Sequence, residues 1–159
     1  MSSIARRKVA ASKADAPLLL EDFLPYRLTV LANAVSRAIA RRYEDEFGLS
    51  IPEWRVMALL GVSPGLTATE VAEATPMDKV AISRAVRGLM DAGRVKSNAD
   101  AEDGRRQRLS LTPAGAAIYR RIVPLARTLE AQLLADLDAH DKAALDELID
   151  RLEAAAATL

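Results

Sequence analysis

A chain of 159 residues, half of them hydrophobic and 28% charged, can bury one ordinary core and is too apolar for wholesale disorder. It has no cysteine, which excludes disulfide staples, cysteine-based zinc sites and thiol redox sensing and fits a reducing cytosol. Cations and acids balance at 22 each, so net charge alone points to no polyanionic partner.

The distribution of charge is more informative. Residues 1–13 hold four cations and no acid, and residues 14–75 have a net charge of −4. Residues 76–108 carry eight cations (Lys79, Arg84, Arg87, Arg94, Lys96, Arg105, Arg106 and Arg108) against five acids, and residues 109–159 return to −3. A basic module inside an otherwise acidic chain is the footprint expected of phosphate contact. No run approaches the roughly 20 apolar residues that cross a bilayer. The first 17 residues are basic and small, with no apolar signal core, so a cytoplasmic protein without a membrane partner is expected.

In chain order, residues 1–17 read as a flexible basic tail ending at Pro17. A long helix is predicted from about Asp22 to Phe47, with Pro25 tolerated in its first turn and Gly48 as its stop. Leu24, Leu28, Leu31, Val35, Ile39 and Arg42 lie along one stripe of it. Ser50-Ile51-Pro52-Glu53 has the spacing of a capping box, in which the serine hydroxyl and the glutamate carboxylate each accept from the other's backbone N–H. The helix it opens carries Trp54, Met57, Ala58 and Leu60 and is expected to stop near Gly61. Ser63-Pro64-Gly65 is a turn.

Thr67-Ala68-Thr69-Glu70 repeats the capping-box spacing and starts a helix of barely two turns, buried through Val71, Ala72 and Ala68. Thr75-Pro76-Met77 breaks it. Asp78 caps the next helix, which runs to about Ala92 with Gly93 as its stop. Ile82, Val86, Leu89 and Met90 are its expected inward face, while Lys79, Ser83, Arg84 and Arg87 point the other way. Val95 to Asn98 and Arg106 to Leu111 suit two short strands joined by Asp100-Ala101-Glu102-Asp103-Gly104. Thr112-Pro113 then caps a helix reaching roughly Leu137, bent at Pro124. Asp138 to Asp141 begins a last helix with Leu145, Leu148, Ile149 and Leu152 on one edge.

Two short helices joined by a tight turn, followed by a charged hairpin, form a device for laying one helix in the DNA major groove while a wing reaches the flanking backbone. Arg84 and Arg87 are three residues apart and project from one helix face. Arginine's planar fork matches the O6 and N7 acceptors of guanine. Lys79 and Ser83, nearer the helix start, are placed for base-edge or phosphate bonds, and Thr67 and Thr69 of the preceding helix join them as candidate DNA contacts. In the wing, Gly104 marks a reversal with Arg105 and Arg106 beside it, side chains suited to a narrow, negative minor groove. Asp103 is expected to pair with one of them and hold it in position.

Leu49-Ser50-Ile51-Pro52-Glu53-Trp54-Arg55-Val56, Lys79-Val80-Ala81-Ile82-Ser83-Arg84 and the wing running from Asp100 through Leu109-Ser110-Leu111-Thr112-Pro113-Ala114-Gly115 resemble the MarR family of winged-helix transcriptional regulators. The resemblance covers about residues 18 to 157. Glu102 departs from it, standing where that family often has arginine, which shifts the expected wing contacts to Arg105 and Arg106. The implied fold is mainly α, a winged helix-turn-helix core (about 50–112) with a small β-wing. Long dimerisation helices flank it (about 18–48 and 113–157).

The resemblance further implies a homodimeric repressor in which the first helix and the last two interleave. Leu20, Leu24 and Leu28 are candidate dimer contacts at one end of the chain, and Leu145, Leu148, Ile149 and Leu152 at the other. A twofold axis would set two recognition helices about one DNA turn, roughly 34 Å, apart on a palindrome-like operator. The family is usually controlled by a ligand held between the dimer helices and the winged core. That makes Asn33, Trp54 and Met57 candidates for binding a small aromatic or lipophilic effector.

Two other classes compete. A winged fold can serve as a protein-interaction module without touching DNA, but the paired cationic helix and wing argue against that. An enzyme would have to use His140 with Asp138 and Asp141, three residues at a helix start where acids act as caps. The chain has no nucleophile elbow, phosphate-binding glycine loop or metal-ligand spacing. No catalytic activity, cofactor or metal is expected.

Overall fold

A computed structural model describes residues 17–159 of the chain; the basic tail falls outside them except for Pro17, which is exposed. The elements follow as α1 (Leu24–Phe47), α2 (Ile51–Val62), α3 (Ala68–Glu73), α4 (Lys79–Asp91), β1 (Val95–Ala99), β2 (Gln107–Leu111), α5 (Pro113–Leu133) and α6 (Ala139–Ala156). No described helix is long and apolar enough to cross a membrane. By its contacts the chain divides into two units, with the boundary after Ala38, inside α1.

In the N-terminal unit, a turn closed by Asp22 N–H donating to the Leu19 carbonyl leads into α1. Its large apolar side chains, Leu18, Leu19, Leu20, Phe23, Leu24, Tyr26, Leu28, Val30 and Leu31, are all exposed. Burial of such surface is the main favourable term in folding and association, so this is surface without a cover.

The second unit is built around Tyr43, Phe47, Leu49, Val56, Met57, Leu60, Val71, Ile82, Ala85, Val86, Leu89, Val95, Leu109 and Ile122. Gly48, at φ +59°, ends α1 in the left-handed region that glycine enters without penalty. The N–H groups of Gly48 and Leu49 turn back to the carbonyls of Glu44 and Tyr43. Leu49 is thereby dropped into the core, wholly buried. Ser50 and Glu53 form the expected capping box, with Ser50 N–H donating to Glu53 Oε2 at 2.8 Å. The helix then continues through Gly61 to Val62. Gly61 is not a stop. A Cβ there would meet the Tyr119 ring of α5 at 2.5 Å, so the absent side chain lets α5 lie close.

Strands β1 and β2 pair antiparallel from Val95↔Leu111 to Ala99↔Gln107, one residue longer at the end of β1 and one shorter at the start of β2 than expected. The hairpin has a third, partial member that the sequence pattern did not suggest. Gly65, at φ +88°, lets Gly65 N–H donate to Leu109 O (2.8 Å) and Leu66 O accept from Leu109 N–H (2.9 Å). Helix α5 runs unbroken across Pro124 and ends at Leu133, short of Leu137. Helix α6 starts at the Asp138 cap and has no buried residue. Leu148, Ile149 and Leu152 on it are exposed.

Candidate nucleic-acid interface

The first helix of the motif, α3, begins at Thr67, whose oxygen accepts from Glu70 N–H while Thr67 N–H donates 2.7 Å to Glu70 Oε2. These bonds commit Thr67, half-buried, to the cap, whereas Thr69 is exposed in the first turn of the helix. Val71 plugs the core; Ala68, expected inside, is exposed. After the Thr75-Pro76-Met77 break, Asp78 caps α4 by accepting from Ala81 N–H at 2.8 Å. Gly93, at φ +67°, ends it.

Ile82, Ala85, Val86 and Leu89 bury one side of α4, and Lys79, Val80, Ser83, Arg84 and Arg87 are exposed on the other. At about 100° per residue, Lys79, Ser83, Arg87, Val80 and Arg84 follow one another across an arc of about 140°. One flank of that arc borders a cleft of about 760 Å³ lined by Thr67, Thr69, Val86, Met90, Arg105 and Arg106. The other flank, at Arg84, borders a smaller groove with Ser50, Pro52 and Glu53 at the start of α2. Met90 is therefore not on the inward face as expected: it is 42% exposed and lines the cleft between α4 and the wing.

The wing is held differently from the sequence expectation. Asp103 does not pair with a wing guanidinium. Its carboxylate accepts the backbone N–H of Arg105 (3.1 Å) and its carbonyl that of Arg106 (2.8 Å), which fixes the tip. Gly104 lies outside the left-handed region and a Cβ there would touch nothing, so the reversal does not require glycine. The arginine held by acids is Arg108. Its Nε donates to Asp100 Oδ2 (2.5 Å), and its Nη1 donates to Gly65 O (3.0 Å) and lies 3.4 Å from Glu70 Oε2.

Asp100 also accepts the N–H groups of Glu102 and Asp103. The Glu102 N–H, the Arg108 side chain and the Asp103 N–H hold the Asp100 carboxyl down at about 2. Bonds from Thr67, and then the charges of Arg108 and Arg106, lower Glu70. The pairing with Asp100 raises Arg108. One guanidinium thus ties the wing tip, strand β2 and the cap of α3 together, in a network of the kind that fixes a geometry more than it adds stability. None of the ion pairs among the described residues involves Lys79, Arg84, Arg87, Arg105 or Arg106.

Two further arginines, Arg94 (counted in the basic module) and Arg121, brace the second unit instead. Arg94, just past α4, donates from Nη2 to Phe47 O at 2.8 Å, closing the end of α1. Arg121 of α5 stacks over the Phe47 ring at 5.0 Å and pairs with Glu46. Isolated cations in the sequence gave no sign of these partners, which lie about 50 and 75 residues away.

The effector candidates fall in different places. Met57 is wholly buried in the core, and Trp54 packs edge-on against Tyr43 with centroids 5.1 Å apart, so both serve packing. Asn33 is exposed on α1 within the N-terminal unit. Leu20, Leu24 and Leu28 are exposed in that unit, and Leu145 of α6 is half-buried in the other. Asp138 caps α6 by accepting from Asp141 N–H, and His140 is exposed. No group of three or more potential metal ligands occurs among the described residues.

The sequence pattern of the MarR family matches residues 47–106, the end of α1 through the wing tip. A transcriptional repressor of the helix-turn-helix type from Mycobacterium bovis is 32% identical over 139 residues, covering 87% of this chain and 94% of the relative. Among solved structures, a MarR/EmrR family transcriptional regulator from Acinetobacter sp. ADP1 superposes with a TM-score of 0.81 at 24% identity, over 89% of this chain and 100% of that one. The PcaV transcriptional regulator of Streptomyces coelicolor, solved with its natural ligand, gives a TM-score of 0.72 at 27% identity, over 89% and 99%.

Proposed function

The chain belongs to the MarR family of transcriptional regulators, and from that premise we propose that it acts in the cytoplasm as a homodimeric repressor reading a palindrome-like operator with α4 and the wing. The observation that carries this reading is the set of five exposed cations, Lys79, Arg84, Arg87, Arg105 and Arg106, which form no ion pair among the described residues. Cations that fold stability does not use, on a helix backed by core and on the adjoining hairpin, are suited to phosphates and base edges. Asp100 and Glu70 form their ion pairs with Arg108 and none with the five outward-facing cations.

The uncovered apolar surface of the N-terminal unit, and that of α6, support a twofold partner. That the mycobacterial relative is a transcriptional repressor, and that PcaV holds its natural ligand, support repression relieved by a small effector. An effector releases DNA only if it binds one arrangement of the two reading heads better than another.

Salt dependence tests the electrostatic basis. Affinity for an operator duplex should fall on the order of 10³-fold as salt rises from about 50 to about 200 mM, because each neutralised phosphate releases counterions. A flat response would rule out the cationic face as the DNA contact. Capture of a protein partner by a chain that binds no duplex would favour an interaction module instead.

A further inference from the structure

Val80 is the second residue of α4 and is 59% exposed. Neither burial nor local propensity explains it: the side chain contributes little to the core, and a β-branched residue is a weaker helix former than alanine at an exposed position. Its location is what sets it apart from a scattered surface valine. On the exposed arc of α4, Val80 lies between Arg87 and Arg84, with Ser83 and Lys79 beyond Arg87. Over the stretch from Lys79 to Arg87 it is the one apolar side chain on that arc, Met90 and the acid Asp91 lying on it only in the last turn, and it sits in the first turn, the part of a recognition helix that approaches base edges.

The major groove offers one apolar feature, the C5-methyl group of thymine, and small aliphatic side chains contact it. We infer that Val80 is a specificity-determining residue that reads a thymine methyl beside the guanine read by Arg84 or Arg87. This rests on the proposed role of α4 as the DNA-reading helix. The arginines supply hydrogen bonds to guanine O6 and N7, and Val80 removes a methyl group from water between them. It also disfavours cytosine at that position, because the cytosine N4 amino group would lose its water against an aliphatic surface with no acceptor.

The test uses a duplex enriched from a random pool by the full-length protein, with each thymine replaced in turn by deoxyuridine. That change deletes the methyl and preserves every hydrogen bond. At one position per half-site the wild-type protein should bind about fourfold more weakly, the effect of one buried methyl group, and about fifteenfold when both symmetric positions are changed. Val80→Ala keeps the helix and should bind the thymine and uracil duplexes equally. A uracil scan with no sensitive position would overturn the inference, as would a Val80→Ala protein that keeps the wild-type thymine preference. If no duplex is enriched at all, the DNA-reading role of α4 fails first and the inference falls with it.

Discussion

Arg84→Ala is expected to weaken operator binding by roughly 30-fold to 10⁴-fold with the fold intact. A well-placed arginine fork on guanine discriminates by about 1–3 kcal/mol, and a dimer presents two, which gives about 2–6 kcal/mol in all. Arg84 is exposed and forms no ion pair among the described residues, so its removal deprives no acid of a partner. Alanine is also the better helix former. Helicity and thermal midpoint should therefore stay at wild-type values while affinity for the selected duplex collapses toward that for random DNA. If both affinity and base preference survived the substitution, α4 would not be the reading helix. Arg84 is the sharper choice over Arg87 because it borders the groove beside the start of α2, at the edge of the arc away from the wing. No wing arginine lines that groove, so none is placed there to replace it.

Gly115→Ala is the expected large stability change. Gly115 is buried in the first turn of α5, and a Cβ there would lie 2.0 Å from the carbonyl oxygen of Arg94 and 2.9 Å from its carbon. The obstacle is backbone, so no side chain can swing aside. The same spot is fixed from three directions. Thr112 N–H donates to Arg94 O at 3.0 Å, Thr112 Oγ1 donates to Gly93 O at 2.7 Å, and Gly115 N–H donates to Thr112 Oγ1 at 3.0 Å. Forcing α5 away from the α4–β1 turn breaks that set. The expected cost is roughly 3 kcal/mol, which for a chain of this size lowers the melting midpoint by roughly 6–12 °C. Gly104→Ala is the matched control, since its Cβ meets nothing and its backbone is not left-handed; it should stay within about 0.5 kcal/mol of wild type. Equal melting of the two variants would show that the close approach at Gly115 is not rigid.

What could be read from the residues alone was whatever depends on neighbours three or four positions away. The capping boxes at Ser50–Glu53 and Thr67–Glu70, the Asp78 cap and the stops at Gly48 and Gly93 are local devices, and each forms. The exposed face of α4 follows from the same period, as does most of its buried face. Met90, expected inward, in fact obeys the period: at about 100° per residue it falls between Lys79 and Ser83, on the exposed arc, where it lines the cleft toward the wing.

The wing's interior was not legible in this way. Arg108 finds Asp100 eight residues away but Glu70 thirty-eight away, through a β2 register and a Gly65–Leu109 pairing that no pattern in either segment announces. Asp103 beside two arginines suggests an ion pair; its oxygens instead accept the backbone N–H groups of Arg105 and Arg106 and close the turn. Gly61 and Gly115 show the limit from the other side. Both are required by something distant, a Tyr119 ring and an Arg94 carbonyl, and a glycine in a sequence does not say which kind of closeness it serves.

The most direct measurement is enrichment of bound sequences from a random duplex pool by the full-length protein. The expected product is an inverted repeat whose half-site centres lie about 10 base pairs apart, the spacing of two recognition helices on one face of B-DNA. A pool that enriches nothing, or that converges on a single asymmetric half-site, would contradict a twofold pair of α4 helices as the reading device.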